Sequence, residues 1–133
     1  MGLLIDTNIL IACEKGTLDL DRMIAEHDDD SVFLSVISAS ELLHGVHRAA
    51  EESVRTRRLA FVETLLKGME ILEIDLAVSR IHAELWSDLS GRGQMIGPHD
   101  LWLAASALAN DCTLVTRNVR EFNRISGLKV EIW

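Results

Sequence analysis

The chain is 133 residues long, 48% hydrophobic and 26% charged, a mix that excludes disorder as its main state and predicts one globular domain over residues 1–133. No apolar run approaches the ~18 residues of a membrane span, so the expectation is a cytoplasmic chain with no membrane partner. The formal net charge of −8 excludes a grip on nucleic acid through bulk positive charge, but not a nuclease, because clustered carboxylates lower the count and bound cations offset them locally.

Leu3–Ile5 reads as a short buried strand. No basic segment precedes it, so no secretory leader is expected. A helix follows from about Thr7. Asp19–Asp30 is mostly polar and suits a short helix ending in an acidic loop. Val32–Val36 is a second strand, and Ala39–Ala50 a helix with Leu42, Leu43 and Val46 at helical spacing. Val54–Lys67 is helical, with Ala60, Phe61, Leu65 and Leu66 available for packing. Glu70–Ile74 is a third strand. Val78, Ile81, Leu85 and Leu89 make Leu76–Ser90 an amphipathic helix. The stretch Ser90–Gly97 holds three glycines and reads as a loop. Leu101–Ala109 is apolar nearly all round, the pattern of a buried helix. Thr113–Thr116 is a fourth strand, Val119–Phe122 a helical turn and Lys129–Ile132 a fifth strand. Cys13 and Cys112 form no C-x-x-C pair and no zinc spacing, so both are expected as reduced, packed thiols.

Strands alternating with helices favour an α/β fold with a parallel sheet covered on both faces. Ligands of such sheets bind beyond the carboxyl ends of the strands. Polar residues gather there: Asp6-Thr7-Asn8 after the first strand, Ser38 to Glu41 after the second, Thr116-Arg117-Asn118 after the fourth. His99-Asp100 opens the buried helix. Each has a bland explanation. Asp6, Thr7 or Asn8 caps a helix; Ser38-x-x-Glu41 matches a capping box; Asp100 is a first-turn acid after Pro98; Asn118 suits a turn. Independent caps, however, need not collect carboxylates from distant segments on one rim. Clustered carboxylates repel and stay partly protonated unless a cation joins them. Oxygen ligands without nearby His or Cys suit Mg²⁺ or Mn²⁺ rather than zinc, and such an ion serves phosphodiester hydrolysis.

Four segments, LLIDTNILI at 3–11, SVISASELLHGV at 35–46, IGPHDLWLAASALA at 96–109 and LVTRNVREFNRISGLKVEIW at 114–133, resemble the PIN-domain nucleases, and within them the VapC-like toxins of bacterial toxin–antitoxin pairs. The resemblance implies a three-layer α/β/α fold around a five-stranded parallel sheet. It implies a metal-dependent endoribonuclease that inhibits translation, with transfer RNA a reasonable target. It also implies a homodimer and a small antitoxin whose C-terminal segment blocks the acidic site. The faces of Val54–Lys67 and Leu76–Ser90 would supply the antitoxin's groove.

Asp6, Glu41 and Asp100 match the family's carboxylates, and Thr116 and Asn118 its T-x-D/N position. Asp6 and Asp100 are then expected to touch the metal. Glu41 would orient the ion through a water or help deprotonate the nucleophile. Thr7, Asn8, Thr116 and Asn118 would hold the carboxylates. Glu121 reads as a surface acid in a turn, with an outer-sphere role beside the metal as the alternative. Arg117 and Arg120 are open between RNA phosphate and solvation, and Arg48, Arg55, Arg57 and Arg58 suit a solvated helix face. His44 and His47 are expected at the surface. His99 is expected to point away from its neighbour Asp100, and Trp86 and Trp102 read as core or dimer contacts. The rival readings are a phosphatase with an acidic pocket and a PIN-like binding module that does not cut.

Overall fold

A computed structural model describes residues 2–133. In chain order the elements are β1 (Gly2–Ile5), α1 (Thr7–Glu14), α2 (Leu20–Ala25), β2 (Ser31–Ser35), α3 (Val36–Arg48), α4 (Glu52–Gly68), β3 (Glu70–Leu72), α5 (Leu76–Gly91), α6 (Pro98–Ala109), β4 (Cys112–Val115), α7 (Val119–Phe122) and β5 (Val130–Glu131). The five strands form one sheet in the order β3-β2-β1-β4-β5, and every pairing is parallel. The chain builds outward from β1 on one side through β2 and β3, then returns to lay β4 and β5 on the other. The strand order therefore reverses at β1, the switch point where open α/β sheets bind ligands.

The two-residue period of a strand divides the core. Leu3 and Ile5 face one layer with Ile9, Leu42, Val46 and Val62. Leu4 faces the other with Leu89, Leu103, Leu114 and Phe122. Helices α1, α3 and α4 thus cover one face, and α5, α6 and α7 the opposite one, which gives the three-layer α/β/α architecture. Gly2 is required by close approach: a Cβ there would stand 2.7 Å from the Phe33 ring and 2.8 Å from the Cys112 sulfur. Both cysteines are free thiols, Cys112 buried and Cys13 half-buried. Among the described residues no helix is long and apolar enough to cross a membrane.

Several boundaries differ from the sequence expectation. Strand β2 stops at Ser35, whose hydroxyl accepts from the Ile37 N–H at 3.1 Å and caps α3. Ser38 and Glu41 therefore lie inside α3, and there is no capping box at Ser38. Helix α6 starts at Pro98 rather than Leu101, and Asp100 lies in its first turn, in keeping with the first-turn reading. Ala60 is exposed rather than packed; Val62 is the buried residue of α4. Trp86 is 57% exposed and is not core. Trp102 is half-buried and stacks on His82 with ring centroids 3.5 Å apart.

Candidate active site

The carboxyl ends of β1 and β4 lie side by side, with Ile5 opposite Val115. The residue that follows each strand is polar and buried. Asp6 is 6% exposed and Thr116 is fully buried. Asp6 caps α1 by accepting the Thr7 N–H through Oδ1 at 2.7 Å. Its Oδ2 accepts the Thr116 hydroxyl at 2.7 Å and the Asn8 amide at 3.4 Å. Thr116 also accepts, from the Asn8 side chain at 3.2 Å and from the Asn118 N–H at 3.0 Å. One donated and two accepted bonds use the full capacity of a hydroxyl. Asn8 in turn accepts the Arg117 N–H at 3.2 Å. The capping role proposed for Asp6 is real, but it occupies one carboxylate oxygen only.

Asp100 reaches this group from α6. Its Oδ2 accepts from the Asn118 side chain at 3.2 Å, and the same amide reaches Glu121 Oε2 at 3.4 Å. Glu121 is therefore a fourth carboxylate of the group and not a detached surface acid. The signal was the three-residue step from Asn118 to Glu121 across one helical turn. Glu41 approaches from the middle of α3, half-buried, with its Oε1 3.5 Å from His99 Nδ1. His99 turns to Glu41 and not to Asp100, in keeping with the expectation. Its neighbour in sequence is Asp100, but its neighbour in space is Glu41, because α3 packs beside α6.

The electrostatics follow from this crowding. Burial raises the Asp6 carboxyl above its ordinary range, against the opposing bonds from Thr116 and Thr7. Burial also raises Glu41; His99 pulls it down and Asp6 pushes it up. Asp100 is pushed up to about 7, first by burial, then by Asp6, by Glu121 and by Glu41. The Thr7 hydroxyl lies near enough to Glu41 to favour its charge, yet at no bonding geometry; it is buried and unpartnered.

A hard divalent cation fits this donor set. The donors are all oxygens, and burial, with mutual repulsion at Glu41 and Asp100, raises the carboxylates above their ordinary range. Among the described residues, no three His, Cys, Asp or Glu side chains converge closely enough to cage an ion alone.

The arginines divide. Arg55 donates to the carbonyls of Ala49 and Ala50, at 2.7 and 2.9 Å. Arg58 donates to Glu14 Oε1 at 3.2 Å and to the Gly45 carbonyl at 3.4 Å. Arg124 holds the Met95 carbonyl at 3.0 Å. Arg117 donates to the Trp133 carbonyl at 3.2 Å. Arg48, Arg57 and Arg120 are exposed and unpaired among the described residues, so the solvated-face expectation holds for only part of the first group. His44 and His47 are exposed, as expected.

The PIN-domain family model matches residues 3–128. Ribonuclease VapC1 of Rickettsia felis is 37% identical over 130 residues, spanning 98% of this chain and 95% of that protein. The tRNA(fMet)-specific endonuclease VapC of Shigella flexneri is 28% identical over 130 residues, with 98% and 96% covered. The crystal structure of VapBC2 from Rickettsia felis bound to a fragment of promoter DNA superposes with a TM-score of 0.90 at 27% identity, covering 100% of this chain and 99% of that one. The carboxylates gathered at the sheet's switch point thus stand in a chain that belongs to the PIN-domain family and, within it, to the VapC-type ribonucleases of toxin–antitoxin systems.

Proposed function

We propose that the chain is a Mg²⁺-dependent endoribonuclease, with Mn²⁺ able to substitute, and that Asp6, Glu41 and Asp100 form its active site. The carrying observation is the hydrogen-bonded carboxylate group at the β1/β4 switch point, where Asp100 is pushed up to about 7 by burial and neighbouring acids. Asp6 and Asp100 would hold the ion, which supplies an activated water and neutralises charge on the phosphoryl oxygens. Thr116 and Asn8 fix the Asp6 carboxylate, and Asn118 steadies Asp100. Glu41 faces the same space and is suited to accept a proton from the attacking water, because its own affinity for protons is raised.

Transfer RNA is the proposed substrate, supported by the printed specificity of the Shigella flexneri relative. The proposed partner is an antitoxin, supported by the VapBC complexes among the solved relatives. A homodimer in the cytoplasm is part of the same reading. The test is incubation of the purified, antitoxin-free protein with total RNA in Mg²⁺, in Mn²⁺ and in chelator. The expectation is metal-dependent fragments that disappear in Asp6→Asn and Asp100→Asn. RNA left whole in both metals would overturn the reading in favour of a binding module, and full cleavage by either variant would overturn the assignment. Mapping the fragment ends decides whether transfer RNA is the target.

A further inference from the structure

A cleft of about 880 Å³ leads away from the carboxylates between α1, α3 and α4. Helical spacing builds its walls. Ile11 comes from α1, Glu41, Gly45 and Arg48 from α3, and Arg57 and Phe61 from α4. Glu41, Gly45 and Arg48 share one face of α3, so the cleft runs about 10 Å along that helix from the carboxylate to the guanidinium. Thr7 and His99 stand at the acidic end. The far end is cationic, and its charges are not all committed. Arg58 is tied to Glu14 and Gly45, whereas Arg48, Arg57 and Lys15 line the cleft unpaired among the described residues. Gly45 keeps the floor open: a Cβ there would meet nothing within 4 Å.

We propose that this cleft is the path of the single-stranded RNA next to the scissile bond, with Arg48 and Arg57 holding its phosphates. The proposal rests on the nuclease reading for its direction and on the cleft's own chemistry for its occupant. A chain of net charge −8 repels RNA over most of its surface, so a few free cations in one groove carry much of the attraction. The half-buried ring of Phe61 offers a face on which a base stacks. An end that opens at Glu41, beside the Asp6 and Asp100 carboxylates, and an end that carries the Arg48 and Arg57 guanidiniums suit a strand whose reacting phosphate meets a cation at the first and whose next phosphates meet side chains at the second.

The test is fluorescence anisotropy with fluorescein-labelled oligoribonucleotides in EDTA, where binding is read without cleavage. Arg48→Gln combined with Arg57→Gln should weaken binding about tenfold and flatten the salt dependence by about 1.4 in slope, the value for two single-strand phosphate contacts. Arg48→Lys with Arg57→Lys should restore the slope. Gly45→Met fills the cleft without changing charge and should also weaken binding, with thermal melting showing the variant folded. Unchanged affinity and slope in the glutamine pair would overturn the proposal. So would loss of binding to an acidic amphipathic peptide with RNA affinity intact, which would make the cleft a protein groove. Cleavage by the wild type in Mg²⁺ is scored separately, so a failed nuclease reading and a failed cleft are told apart.

Discussion

Thr116 carries more of the site than its size suggests. Its hydroxyl donates to Asp6 and accepts from Asn8 and Asn118, so three segments meet at one oxygen. Thr116→Val keeps the shape and leaves a buried carboxylate oxygen without its best donor. The expected cost is about 1–3 kcal/mol in urea unfolding, with a parallel loss of RNA cleavage, and Thr116→Ser should recover most of both. Asp100 behaves oppositely. Its folded pKa, about 7, lies above its ordinary 3.8. The stability that goes with its neutral form is therefore full below 3.8 and lost as pH rises through about 7. Asp100→Asn removes that loss. In chelator at pH 8 the variant should melt roughly 2–5 °C above the wild type, with the gap closing in acid. Mg²⁺ should raise the wild-type melting temperature and leave the variant's nearly unchanged. A variant that melts lower at pH 8 would contradict the crowding of the carboxylates.

At the scale of elements, α3 and the α5–α6 pair make separate demands. Gly45 sits inside α3, where glycine disfavours a helix, and a Cβ would meet no neighbour. Gly45→Ala is expected to stabilise the fold by about 0.5–1 kcal/mol, read as a shifted urea midpoint. Helices α5 and α6 are joined by His82, which is buried and stacked on Trp102. Burial lowers the His82 pKa from 6.5, so the fold favours the neutral ring. Its contribution is present above 6.5 and is lost as pH falls through the lowered folded value. His82→Phe keeps an aromatic ring there and should lose less stability between pH 7 and pH 5 than the wild type. Equal losses would remove His82 as a source of acid sensitivity.

Over the whole molecule, the sheet joins two cores that share only its strands. Leu4 is fully buried at the centre of the sheet, facing the α5–α6 side. Leu4→Ala should cost about 2–5 kcal/mol, enough to threaten the fold of a chain this size, and solubility and melting temperature would report it.

The alternation of strands and helices was legible residue by residue, because apolar periodicity and the polar residues after each strand are local properties. Asp6, Asp100 and Thr116 were legible for the same reason: each follows a strand or opens a helix. Glu41 was legible from its place after the second strand and from the resemblance; the capping box offered as its bland explanation is not used, since Ser35 caps α3 instead. The partners of His99 and Glu121 were not legible, because they are fixed by packing and not by spacing. His99 meets Glu41 only where α3 lies against α6, and Glu121 meets Asp100 only where α7 folds over the rim. The sequence by itself determined the order of the elements, the acidic residues and the net charge. Only the tertiary structure decided which acids share a field, which arginines remain free and where a cleft stays open, because long-range contacts depend on how helices pack across a sheet and no local pattern encodes that distance.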